Sequence, residues 1–232
     1  MDIDTTLRNY PLNCESAEQI VRRIADVEID DKISFVIKKT EEIMEDSEYQ
    51  GVRLSLDAYL DKTRIPLKID ISTGDVITPC EISFSYQLMF ENRTIPLLAY
   101  PPETVLAEKL ETILSRGEAN TRLRDFYDVY ILQREDFVVT PDALRYALLA
   151  TCRKRGHEDL LHTYASILNE VRQSGAMRAQ WMKYQTDFDY AAGITWDTVL
   201  DTVETLCMKT LDDHAFGDEL PQEESQFEMH LL

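Results

Sequence analysis

Asp2 and Asp4 stand two residues apart in the opening Met-Asp-Ile-Asp. In an extended strand alternate side chains share a face, so the two carboxylates are expected to project together. Carboxylates so placed repel each other unless a cation lies between them. Mg2+ is the natural occupant, because it takes oxygen ligands together with phosphates. Surface acids paired by chance give the same spacing. Asp70 adds a third carboxylate, on the polar side of an alternating segment, with Lys68 and Ser72 flanking it and Gly74-Asp75 following as a turn. Three acids on neighbouring strands suit metal-assisted phosphoryl transfer. A solvated sheet face with incidental charges is the plainer reading.

Lys109 lies at the edge of an apolar helical stripe, four residues after Val105 and four before Ile113. From there a lysine either runs its stem past the core into water or reaches a cleft where it meets a phosphate. The segment Asn120-Thr-Arg-Leu-Arg-Asp-Phe-Tyr-Asp-Val-Tyr130 follows. On a helix, Arg122 and Asp125 are three apart and Arg124 and Asp128 four apart, so internal ion pairs are available. These residues either lace a surface helix or shape a site for an anionic substrate. Other constellations point elsewhere. His157, His162, His214 and His230 have no metal-binding spacing, and their expected place is the surface. Trp181 and Tyr184, three apart, read as packing rather than a base-stacking platform. There is no glycine-rich phosphate loop and no nucleophile elbow.

The elements that must hold these residues fall into two groups. Residues 1–5 read as a short strand, and Ser16 with Gln19 as the capping box of a helix whose apolar face is Ile20, Val21, Ile24 and Ala25. Strands are expected at 33–37, 52–60 and 65–71, and a hairpin from 82 to 100 around Asn92-Arg93. After Tyr100 the period changes to helical. Pro101-Pro102 opens a helix that Gly117 closes; a second runs over 121–133, and Thr140-Pro141-Asp142 caps a third that ends at Gly156. Further helices are expected at 157–173, 177–184 and 195–211. Residues 212–232 carry seven acids and no Lys or Arg, the composition of a disordered tail. The expected architecture is α+β: a mixed sheet with helices over 1–135, a helical bundle over 136–211, and the acidic tail.

Composition limits the rest. The chain has 232 residues with 24 basic and 43 acidic side chains, a formal net charge of -19, so polyanions are repelled unless a local basic cleft or bound cations intervene. Arg122, Arg124, Arg153, Lys154 and Arg155 are candidates for such a patch. Four scattered cysteines without a CxxC pair argue for a reduced, cytoplasmic setting, and no apolar run is long enough to span a membrane.

Four ordered motifs together resemble the AbiEii/AbiGii-type nucleotidyltransferase toxins, the toxin components of type IV toxin–antitoxin systems associated with abortive infection and phage defence. They are Asp2-Ile-Asp4; Lys68-Ile-Asp70-Ile-Ser-Thr-Gly-Asp75; Tyr100-Pro-Pro-Glu-Thr-Val-Leu-Ala-Glu-Lys-Leu-Glu; and Asn120-Thr-Arg-Leu-Arg-Asp-Phe-Tyr-Asp. The C-terminal helices resemble the family too, to about residue 210. The resemblance implies a nucleotidyltransferase-like fold that moves a nucleoside monophosphate from an NTP to an acceptor, the 3′ end of tRNA in better understood relatives. Asp2 and Asp4 would bind metal and triphosphate, with Asp70 as a further strand carboxylate. Lys109 would be the catalytic lysine, Arg122 and Arg124 would help bind the nucleotide, and either Asp125 or Asp128 would be the late essential aspartate. Mg2+ is the implied cofactor and a winged-helix antitoxin the implied partner; no oligomeric state is implied. Family members carry a Gly-Gly or Gly-Ser loop ahead of the Asp-x-Asp pair, whereas this sequence opens at the aspartates. Two alternatives stay open: a non-catalytic nucleotide- or protein-binding relative of the same fold, and a metal-dependent nuclease.

Overall fold

A computed structural model describes residues 2–29, 31–44, 50–134 and 139–211, with Asp2, Met44 and Gln50 described by their backbone alone. The expected acidic tail lies outside the described residues. The chain divides into two compact units, Met1–Asp75 and Val76–Leu232.

The first unit is a four-stranded sheet with one helix on it. Its strands are β1 (Asp2–Leu7), β2 (Ile33–Met44), β3 (Gln50–Leu60) and β4 (Thr63–Thr73), and the helix is α1 (Cys14–Ala25). Strand order is β1-β4-β3-β2. β1 runs parallel to β4, while the other two pairings are antiparallel. Alternation decides which face goes inward. Val52, Leu54 and Leu56 of β3 and Ile71 of β4 are buried with Leu12, just ahead of α1, and with Ala17 and Val21 on the apolar side of α1. The opposite face carries Arg53, Ser55 and Asp57 of β3, in register with Asp70, Lys68 and Pro66 of β4. At its start α1 differs from expectation. Asn13 is the cap, accepting from the Ser16 N–H at 2.8 Å, and Ser16 Oγ returns the bond to the Asn13 N–H at 3.0 Å. Ser16 is therefore the third helical residue of a capping box that begins three residues earlier.

The second unit begins with a hairpin, β5 (Ile82–Gln87) and β6 (Thr94–Ala99), and continues into α2 (Pro102–Arg116), α3 (Leu123–Leu132), α4 (Pro141–Arg155), α5 (Leu160–Gln173), α6 (Gly175–Asp187) and α7 (Trp196–Leu211). Local signals set the helix ends. Pro102 occupies the first turn of α2, where its missing N–H is harmless. Thr140 Oγ1 accepts from Ala143 N–H at the head of α4, and Gly156 closes α4 at φ 68°, a conformation side chains disfavour. One apolar core unites the helices: Leu110, Phe126, Leu148, Trp181, Val199 and Leu200 are all buried in it. α2 packs on α3, α4 and α5, and α7 on α3, α4, α5 and α6. By packing, therefore, the chain divides after Asp75, whereas the sequence reading places a boundary near residue 135. Helices on both sides of 135 share a core, with Phe126 of α3 meeting Trp196 of α7 at 5.0 Å between ring centroids.

Candidate functional site

The chemistry-bearing residues fall into two groups, one in each unit. In the first, strand register does the positioning. Asp2 pairs with Lys68 and Asp4 with Asp70 across the parallel β1–β4 ladder, and Arg53 of β3 pairs with Asp70 from the other side. Asp70 thus has a carboxylate on one neighbour and a guanidinium on the other. The guanidinium takes it: Arg53 donates through Nε at 2.7 Å and through a terminal nitrogen at 2.6 Å, a bidentate pair. Asp4 is exposed beside that pair. The Asp70-to-Asp75 turn is fixed by Ser72 Oγ donating to Asp75 Oδ2 at 2.6 Å.

Arg53 is not among the residues the sequence singles out, and nothing in the sequence sets the register that delivers it to Asp70. For a divalent cation the donor type is right, hard carboxylate oxygens. Among the described residues, however, no group of three His, Cys, Asp or Glu side chains stands close enough to hold a metal. The pair in register is Asp4 and Asp70, and Asp70 already serves Arg53.

In the second unit, Lys109 of α2 reaches across to α3. Its Nζ lies 2.7 Å from Asp125 Oδ1 and 2.9 Å from Asp128 Oδ2. Asp125 and Asp128 are three apart on one helix, so both carboxylates face the same amine. The amine, its side chain 27% exposed, is held in a clamp of two carboxylates. Burial is the largest single influence on Lys109 and lowers its pKa. Asp125 and Asp128 together outweigh it, so the net shift is upward and the amine stays charged. Asp125 is itself buried, and its Oδ2 is a buried acceptor with no hydrogen-bond partner among the described residues. Arg124, exposed, lies 3.7 Å from Asp128 Oδ1. Arg122 precedes α3 as its N-cap and is exposed. Asn120 ties down this entry, its Oδ1 accepting from Arg122 N–H at 2.7 Å.

A cluster not expected from the sequence sits two residues further along α2. Glu111, 1% exposed, accepts from Arg155 and lies 2.6 Å from His157 Nδ1. The sequence reading leaves His157 to the surface. It is half-exposed, but its inner nitrogen has a buried partner 46 residues away in sequence. That pairing closes the C-terminal end of α4 onto α2. Trp181 is packing, as expected: it is 1% exposed and its Nε1 donates to the Ile194 carbonyl at 2.8 Å. The four cysteines are free, with Cys152 and Cys207 buried.

The family described as "Nucleotidyl transferase AbiEii toxin, Type IV TA system" matches residues 1–202, and the chain belongs to that family. A crystal structure from H. pylori, itself only provisionally assigned as a nucleotidyltransferase, is similar at 14% identity and a TM-score of 0.39, over 90% of this chain and 75% of that one. No curated protein is similar enough to match. Among the described residues no helix is long and apolar enough to cross a membrane.

Proposed function

We propose that the protein transfers a nucleoside monophosphate from an NTP to an acceptor hydroxyl, releasing pyrophosphate, and that the acceptor is a tRNA. Family membership supports the reaction class. The observation that carries it to particular residues is the clamp of Lys109 by Asp125 and Asp128. A charged amine held rigidly at a helix edge is suited to a phosphate, which would exchange for one of the carboxylates. Of the two, Asp128 is the more exposed and the one that yields, while Asp125 holds the amine from beneath. Arg122 and Arg124, both exposed at the head of α3, would meet further phosphate oxygens.

On the sheet, Asp2, Asp4 and Asp70 are the residues that would hold Mg2+. The ion would supply charge neutralisation of the triphosphate and a lowered pKa for the attacking hydroxyl. Arg53 has the part of keeping Asp70 oriented. An antitoxin carrying a winged-helix segment is the proposed partner. The Arg53–Asp70 pair favours a second reading, a non-catalytic relative that binds nucleotide, since both oxygens of Asp70 are already engaged.

Incubation with Mg2+, labelled NTPs and total tRNA separates the readings. Labelled tRNA that disappears in Asp4→Ala and Lys109→Ala supports transfer. NTP binding without labelling supports the second reading, and shortened RNA would mean a nuclease.

A further inference from the structure

Four aromatic rings gather on the second unit beside the lysine clamp. Tyr127 of α3 lies 4.7 Å from Tyr190, between ring centroids. Tyr190 lies 5.4 Å from Phe188, and Phe188 lies 4.7 Å from Tyr184 of α6. The outer rings are open to solvent, Phe188 at 42% and Tyr190 at 49%, while Tyr127 and Tyr184 are half-buried beneath them. This is not a loose surface patch. Tyr184 and Tyr190 share a hydrogen bond between hydroxyls at 2.7 Å. The loop that carries Phe188 and Tyr190 is pinned to α6, Gln185 Nε2 donating to the carbonyls of Ala191 at 3.1 Å and Ile194 at 3.0 Å. Exposed aromatic faces held in place at that level are costly to leave in water and well suited to stacking a flat ligand.

Its location identifies the ligand. Arg124, Tyr127, Asp128 and Ile131 share one face of α3 by helical spacing, so the platform begins one residue from the carboxylate that holds Lys109. The geometry points to this platform as the seat of the nucleobase of the NTP, with the phosphates lying toward Lys109. Resting on the proposed transfer function, it deepens that reading by assigning the base site. Local charge decides between a free nucleotide and a nucleic-acid strand. Asp187 and Asp189 flank the exposed rings, while Arg124 stands on the α3 side beside Asp128; a phosphodiester backbone laid over the rings would meet the acids, whereas a mononucleotide places its uncharged base there and its phosphates toward Arg124 and Lys109. The sequence alone does not disclose the platform, because Tyr127 and Tyr190 are brought together only by the packing of α3 and α6.

The test compares ligands that differ in having a base. ATP, CTP, GTP and UTP, and inorganic tripolyphosphate, are each titrated with Mg2+ into the full chain and into Tyr190→Ala, Phe188→Ala and Tyr190→Phe. The best-bound NTP should weaken about tenfold in each alanine variant and hold within about twofold in Tyr190→Phe, as base–aromatic stacking is worth. Tripolyphosphate affinity should not move. Equal weakening of NTP and tripolyphosphate, or no weakening of either, overturns the assignment, as does wild-type protein that binds none of the four NTPs. Loss of affinity for a single-stranded oligonucleotide, or for a protein partner, with NTP binding intact also overturns it. The transfer reaction is scored separately in the same samples. Base-dependent NTP binding without transfer contradicts the transfer function and leaves the base site standing; transfer that survives in Tyr190→Ala with unchanged NTP affinity does the reverse.

Discussion

Lys109 and Cys152 put the same sign on the protein's response to alkali. Burial pushes the Cys152 thiol up to about 12 from 9.0, with Glu111 adding to it, so the folded state keeps a proton that the unfolded chain releases near pH 9. Lys109 is also raised, above 10.5. For both groups the stabilising contribution is complete below the unfolded pKa and is lost as pH rises through the folded value. Stability should therefore fall steadily between about pH 9 and 12, and Cys152→Ala should flatten that fall. A variant with an undiminished slope in urea titrations would show the thiol is not responsible. Alkylation checks the same geometry: exposed Cys80 should react in the native protein, buried Cys152 and Cys207 only after unfolding. The clamp makes a further distinction. Asp125→Asn should destabilise by about 1–3 kcal/mol, since it weakens the buried partner of a partly buried amine, and Asp128→Asn by less than half of that. Equal losses by chemical denaturation would mean that the two carboxylates share the amine evenly.

At the scale of elements, caps and strand register determine the positions of the functional side chains. Removing the hydroxyl at the head of α4, Thr140→Ala, should cost about 1 kcal/mol, and Gly156→Ala about the same because φ there is 68°. Denaturant midpoints that do not move would contradict those assignments. Much at this level was legible in the sequence. Pro102, Gly117, Thr140 and Gly156 each stand where a helix begins or ends, because proline and glycine act through their own backbone. Two features were not. Asn13 and Ser16 are both good caps three residues apart, and only the structure decides which one leads. β2 runs on to Met44 through Lys38-Lys39-Thr40-Glu41-Glu42, where no apolar alternation is visible, because the length of β3 supplies a ladder to pair with. Tertiary pairing there overrides local composition.

Across the whole molecule, charge and packing govern behaviour. With a net charge of -19, self-repulsion opposes compaction, so added monovalent salt should raise the melting temperature by a few degrees as it screens that repulsion. A melting temperature that falls with salt would mean the internal ion pairs outweigh it. The division of the chain after Asp75 was hidden from sequence for a physical reason: the change from strand to helix near Tyr100 is local and readable, whereas the core shared by α2, α3 and α7 is assembled from residues as far apart as Leu106 and Leu211. Among the candidate residues, Asp4, Asp70, Lys109, Asp125 and Asp128 were legible as types. Their partners were not, since Arg53 reaches Asp70 by register and Lys109 reaches Asp125 across sixteen residues. The most direct test of the central claim is release of pyrophosphate from an NTP in the presence of tRNA and Mg2+. Release matched one-to-one by labelled acceptor, and reduced at least a hundredfold (about 2.7 kcal/mol of barrier) in both Asp4→Ala and Lys109→Ala, is the expected result. No release from wild-type protein that binds NTP, or release unaffected by either substitution, would contradict it.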